Sequence, residues 1–119
     1  RKITKSIEIV YGLRNFIGNA NKFSKNTVYI NLKSDSEITE VIIEDDGNGY
    51  PRDVLSKIGE PYLSTNYPQE NSQTGLGLGL FIGKTLLEKN FASIDCRNSK
   101  TRSGAEVIVR WNNSDLFNI

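Results

Sequence analysis

Between residues 6 and 24 apolar side chains recur every three or four positions, at Ile9, Leu13, Ile17 and Ala20. That spacing predicts a helix with one buried face, and Ser6 has the side chain of an N-cap for it. Two runs rich in β-branched residues follow, TVYINL (27–32) and ITEVIIED (38–45), on either side of the polar turn KSDSE. They read as antiparallel neighbours. Pro51 suits the first position of a short helix through RDVLSKI, with Val54 and Ile58 four residues apart. From Gly59 to Thr74 the periodicity is lost and turn residues dominate; a loop of that length in a compact domain is a functional lid or a disordered segment. A second helix is expected from about Leu78 to Lys89, burying Leu78, Ile82 and Leu86, and two closing strands, ASIDCRN and AEVIVRW, meet through KTRSG. NNSDLFNI (112–119) reads as a loose tail. The sum is an α+β two-layer sandwich: a mixed, mostly antiparallel sheet covered on one face by three helices.

Length changes this picture little: 119 residues make one domain, taken here as 1–119, and the absence of an obvious first strand reads as a piece cut from a longer chain. Charge removes one class of partner. Fifteen basic residues against 14 acidic ones leave +1, no basic field of the kind nucleic acid requires. The one cysteine, Cys96, cannot form an internal disulfide, and with no signal peptide and no long apolar run the chain is expected to be cytosolic. Histidine is absent. Ser/His and Cys/His nucleophilic sites and histidine-ligated metal are therefore excluded within this chain.

Candidate chemistry lies in three clusters. The first ends in letters that suggest a Walker A loop, GLGLGLFIGKT (75–85), but counting back from Gly83, Lys84 and Thr85 the required first glycine falls on Leu78. Gly75, Gly77 and Gly79 also miss the dinucleotide spacing G-x-G-x-x-G. They precede a helix, where exposed N–H groups and the positive dipole end receive phosphate without a Walker lysine. In the second cluster, Tyr11, Asn15, Asn19 and Lys22 fall on one stripe of the first helix, opposite its apolar face. A solvated face explains such a stripe equally well, but asparagine is a mediocre helix former, and Gly12 and Gly18 beside it cost about 1 kcal/mol each relative to alanine. Those costs suggest that something approaches the helix closely. The third cluster, EDDGNGY (44–50), follows a strand and precedes a helix, which argues against a hairpin, and its spacing does not match a calcium loop. It leaves a carboxylate, Asp45, at a strand end, with Gly47 and Gly49 admitting a flat ligand to the backbone.

In this order, the asparagine-bearing helix, D-x-G-x-G turn, long lid and G-x-G-x-G helix start resemble the ATP-binding domain shared by gyrase-type, chaperone and histidine-kinase ATPases. LRNFIGNANKFS is similar to the N box of sensor histidine kinases. EDDGNGY, IGEPYLST and GLGLGLFIGKT resemble the first glycine, F and second glycine boxes, and YGLRNFIGNA, IGEPYLST and GLGLFIGKTLLE together are most similar to RegB-type redox-responsive kinases. The resemblance implies a Bergerat-type ATP-binding fold with ATP and Mg²⁺ as ligands. Asn19 would ligate the metal through its side-chain oxygen. Asn15 and Lys22 would face the phosphates as the catalytic residues, Asp45 would accept from the adenine amino group above Gly47 and Gly49, and Tyr62 would be the aromatic of the F box. Gly75, Leu76, Gly77, Leu78 and Gly79 would present backbone to the phosphates, and Gly104 matches the last small glycine motif. Residues 63–74 would be a lid that orders on nucleotide. Two positions depart from the pattern: Gly59 stands where the F box opens with phenylalanine, and Tyr11 where kinases often carry histidine or glutamate.

The resemblance also implies partners: a histidine-bearing dimerisation domain in a homodimeric parent, a response regulator, and a membrane only through parts outside this chain. Hydrolytic relatives place a glutamate where this chain has Asn15, and an amide cannot act as a general base. That favours phosphoryl transfer to a histidine over hydrolysis; the alternative is a module of the same fold that senses ATP or ADP without catalysis.

Overall fold

A computed structural model describes residues 2–57 and 76–116. The elements are α1 (Lys2–Phe23), β1 (Val28–Ser34), β2 (Ile38–Asp45), α2 (Arg52–Lys57), α3 (Leu76–Lys89), β3 (Ser93–Asn98), β4 (Ala105–Asn112) and α4 (Asn113–Leu116). The strands form one sheet in the order β1-β2-β4-β3, antiparallel at every pairing among the described residues. Alternation puts Ile43, Val107, Val109 and Trp111 on one face, buried against Phe16 and Ala20 of α1 and Leu80 and Leu87 of α3. The other face carries charged cross-strand pairs, Arg110 Nε to Glu40 at 2.9 Å and Arg97 Nε to Glu106 at 2.8 Å. Their guanidinium ends are half exposed, so they add little to stability and mainly keep that face wet.

Several expectations shift. Helix α1 starts at Lys2, so Ser6 is interior and not the N-cap; nothing in KITK breaks a helix. The line of α1 that is most buried is Gly12, Phe16 and Ala20, with Ile9, Leu13 and Ile17 flanking it. In α3 the buried line is Leu80, Gly83 and Leu87, while Ile82 is exposed and Leu86 only partly covered. The cause is a glycine contact that hydrophobic spacing does not encode. A methyl built on Gly12 would stand 2.6 Å from Leu87 Cγ, and one on Gly83 would stand 2.8 Å from Phe16 Cε2 and 3.1 Å from the Gly12 carbonyl oxygen. Gly12 and Gly83 thus let two helix backbones approach, and Gly12 serves packing instead of a ligand. At Gly18 a methyl would meet nothing within 4 Å.

The tail expectation is also corrected for residues 112–116. Asn112 ends β4, and Asn113 is buried: its N–H donates to the Glu37 carbonyl at 2.7 Å, its Nδ2 to the Asp35 carbonyl at 2.7 Å, and its Oδ1 accepts from Thr39 Oγ1 at 2.7 Å. One polar side chain ties the chain end to the β1–β2 turn. The loop expected over Gly59–Thr74, with its lid, and Ile58 lie outside the described residues.

Candidate functional site

The core face of β2 reads Val41, Ile43, Asp45, so a carboxyl stands where the strand alternation would place another apolar side chain. Asp45 is 3% exposed. Its Oδ1 accepts from the Gly47 N–H at 2.8 Å and the Ala105 N–H at 3.3 Å, while Oδ2 has no hydrogen bond among the described residues. Gly104 makes room for this arrangement, because any Cβ there would collide with the Asp45 carbonyl oxygen and Oδ1. The glycine at the end of the sheet is therefore part of the site.

Asp45 opens on a cavity of about 220 Å³ between the sheet and α1. Phe16, Phe23, Ile43, Tyr50 and Val107 supply its apolar walls, and Asn19 and Asn48 add amides. The volume is below the ~300–1,000 Å³ of sites that swallow a whole drug-sized ligand, so it has room for a ring system with the rest of the molecule outside.

The turn after β2 is held from several sides. Asp46 Oδ1 accepts three backbone N–H groups, from Lys25 at 2.9 Å, Asn26 at 3.0 Å and Thr27 at 3.2 Å, and fastens the α1–β1 connection to the turn. The bond from Asn26 is the main cause that holds its carboxyl below the ordinary range. Gly49, at φ 81°, takes a conformation that a side chain would strain, and it lines the cavity. Gly47 has a packing role as well: a Cβ there would collide with the Phe23 carbonyl oxygen, so its bareness admits the end of α1, and it does not line this cavity.

Of the stripe on α1, Asn19 alone faces the cavity. Its Nδ2 is buried with no hydrogen-bond partner among the described residues. Asn15, one turn earlier, donates through Nδ2 to the Tyr11 carbonyl at 2.8 Å and does not line the cavity. Lys22 is exposed, with Nζ 5.5 Å from the centre of the Phe23 ring, and is likewise outside the wall. Leu76, Gly77, Leu78 and Gly79 form the first turn of α3, which begins two residues earlier than its apolar spacing predicts. Their N–H groups precede the first i−4 carbonyl of the helix. The GKT letters are helix interior, as expected. Tyr62 and Gly75 lie outside the described residues.

Sequence reasoning missed Tyr50 and Asn98. Tyr50 is buried against the cavity, and Asn98 holds its backbone from the end of β3. Burial pushes the Tyr50 hydroxyl well above the usual tyrosine range and the neighbouring Cys96 thiol up to about 12, so both stay protonated at neutral pH. The signal available for Tyr50 was its place at the end of EDDGNGY; for Asn98 there was none.

A buried carboxylate, an orphaned asparagine amide and a glycine-opened turn at one cavity match the order of motifs along the chain. The family model for histidine kinase-, DNA gyrase B- and HSP90-like ATPases matches residues 4–114. The chain belongs to this family. Sensor histidine kinase RegB of Cereibacter sphaeroides is 36% identical across 92% of this chain and 27% of its own length. Sensor protein kinase PilS of Pseudomonas aeruginosa is 33% identical across 77% of this chain and 18% of its own. This ATPase-family domain thus spans about a quarter, or less, of the length of these relatives. Among solved structures, the mycobacterial sensor histidine kinase MprB superposes with a TM-score of 0.64 at 22% identity, covering 86% of this chain and 70% of that one. Full-length ShkA in complex with AMPPNP also gives 0.64, at 24% identity, over 87% of this chain and 21% of that one. These likenesses establish the fold. No helix among the described residues is long and apolar enough to cross a membrane.

Proposed function

We propose that this chain is the ATP-binding catalytic domain of a sensor histidine kinase, holding ATP with Mg²⁺ and transferring the γ-phosphoryl group to a histidine on a separate dimerisation domain. In that role the parent protein would go on to serve a response regulator. The observation that carries the reading is Asp45: a buried carboxyl whose inner oxygen is occupied by two backbone donors and whose outer oxygen has no partner among the described residues, beside a ring-sized apolar cavity. Such an oxygen accepts an exocyclic amine and repels a carbonyl, which selects adenine over guanine.

The residues present fit a magnesium ion through Asn19. No three of His, Cys, Asp or Glu converge among the described residues, so a protein cage is not what they form. The Asn19 side-chain oxygen is a hard ligand of the kind Mg²⁺ takes alongside phosphate and water, while its buried Nδ2, without a partner among the described residues, is left to donate into the cavity. When bound, the ion supplies positive charge against the phosphate oxygens. The first-turn N–H groups of α3 are assigned to the phosphates, and Lys22 adds charge from α1. Asn15 cannot accept a proton from water, which spares ATP for the histidine acceptor.

The test is to mix the domain with a purified histidine-bearing dimerisation domain and γ-labelled ATP. Label is expected on the acceptor with little released phosphate. Fast phosphate release without transfer would return the chain to the hydrolytic branch of the family, and tight binding with neither transfer nor release would make it a nucleotide-sensing module.

A further inference from the structure

Asn98 ends β3, the strand at the opposite edge of the sheet from β1, yet its side chain grips the wall of the cavity. Its Oδ1 accepts the Tyr50 N–H at 2.7 Å, and its Nδ2 donates to the Tyr50 carbonyl at 3.3 Å. One amide thus pairs both backbone groups of a single residue, as a neighbouring strand would. It also occupies the space beside Gly49, where a methyl would stand 2.7 Å from Asn98 Oδ1. Gly49 and Tyr50 both line the cavity. Across the β3–β4 register Asn98 faces Ala105, whose N–H reaches Asp45 Oδ1 at 3.3 Å, so one end of this hairpin sets both the carboxylate and the opposite wall.

We infer that Asn98 is a positioning residue of the base cavity: its amide fixes the backbone of Tyr50 on both sides, and thereby the width of the slot that receives the ring. The inference rests on the nucleotide reading above. Asn98 is exposed and lies outside the apolar core, so its removal spares the packing that holds the sheet to the helices. Both of its bonds go to backbone that no other strand pairs. Without them Tyr50 loses its only N–H acceptor among the described residues, and the glycine beside it is free to rotate.

The experiment measures ADP affinity by calorimetry for the unaltered domain and for Asn98→Ala, with and without Mg²⁺, beside amide exchange and the thermal midpoint without nucleotide. Loss of two hydrogen bonds that preorganise the slot is expected to weaken ADP about 10-fold, equally with and without the metal. Faster exchange should be confined to Gly49 and Tyr50. A purely structural role would lower the midpoint and leave the ADP affinity of the folded variant unchanged, and that result overturns the inference. Should Asn98→Ala not fold, Asn98→Asp keeps the acceptor for the Tyr50 N–H and replaces the donor to its carbonyl by a repelling oxygen; undiminished ADP affinity in that variant overturns the inference equally. Failure of the unaltered domain to bind ADP sinks the nucleotide reading and this inference with it, whereas binding that ignores position 98 sinks the inference alone.

Discussion

Asparagine in place of Asp45 changes one atom at the centre of the site and separates its two duties. Gly47 and Ala105 donate to Oδ1 at 2.8 and 3.3 Å, and an asparagine turned by those two donors keeps an oxygen in that place. The fold should therefore survive Asp45→Asn, whereas Asp45→Ala leaves two donors without an acceptor at a site 3% exposed and should cost about 1–3 kcal/mol of stability. The outer oxygen becomes an NH₂ group that can no longer accept from an amine. A hydrogen bond to a charged acceptor is worth about 1.5–3 kcal/mol, so ATP affinity should fall about 10- to 150-fold. The same NH₂ can donate to a ring carbonyl, and the ratio of inosine triphosphate to ATP affinity should rise correspondingly. Calorimetry with both nucleotides on the unaltered and Asp45→Asn domains, with thermal midpoints to confirm folding, measures each effect. Unchanged ATP affinity in a folded Asp45→Asn domain, or equal affinity of the unaltered domain for ATP and GTP, would refute the assignment of Asp45 to the base.

Asn19→Leu should abolish the magnesium dependence of ATP binding while circular dichroism stays native, since the amide makes no internal hydrogen bond through its buried nitrogen; a persisting magnesium effect would move the metal elsewhere. Gly83→Ala should destabilise by about 1–2 kcal/mol in chemical denaturation, overpacking against Phe16 outweighing the helix-propensity gain, and should leave ATP affinity alone. A selective loss of ATP binding there would revive the Walker A reading. Cys96, raised from 9.0 to about 12 chiefly by burial, should carry ~10³-fold less thiolate than an ordinary cysteine and alkylate correspondingly slowly at neutral pH until the domain is unfolded. Asp46 has its carboxyl lowered from the ordinary 3.8 by backbone N–H groups, so its contribution is complete above that value and lost as pH falls through the lower folded value. Acid unfolding of Asp46→Ala should accordingly be flatter below about pH 4 than that of the unaltered domain; parallel acid limbs would show that the three bonds to the α1–β1 connection do not matter to folding.

The order of the elements from α1 to β4 was legible in the sequence alone. Period-3.6 spacing announced α1, β-branched runs announced β1 and β2, and the glycine motifs marked the turn after β2 and the start of α3. Asp45 was legible because a carboxyl at the end of an apolar alternation has nowhere to point but inward, and Asn19 because it lies on the stripe of α1 beside the core face. The tertiary structure decided what depends on distance between segments. Helix α3 is apolar around most of its circumference, so its spacing named no unique buried line; contact of Gly83 with Gly12 chose Leu80 and Leu87 over Ile82. Gly47 is bare where the Phe23 carbonyl, 24 positions earlier, arrives, so the end of α1 packs against it. Asn15 and Asn19 share a stripe, but only Asn19 lines the cavity; the Asn15 amide is turned back onto its own helix, where it donates to the Tyr11 carbonyl. Asn98, at the end of an ordinary strand, reaches Tyr50 across 48 residues of chain, and only folding β3 beside β4 brings its amide to that peptide. Local periodicity records which face a residue takes on its own element; which backbone meets that face is fixed by packing.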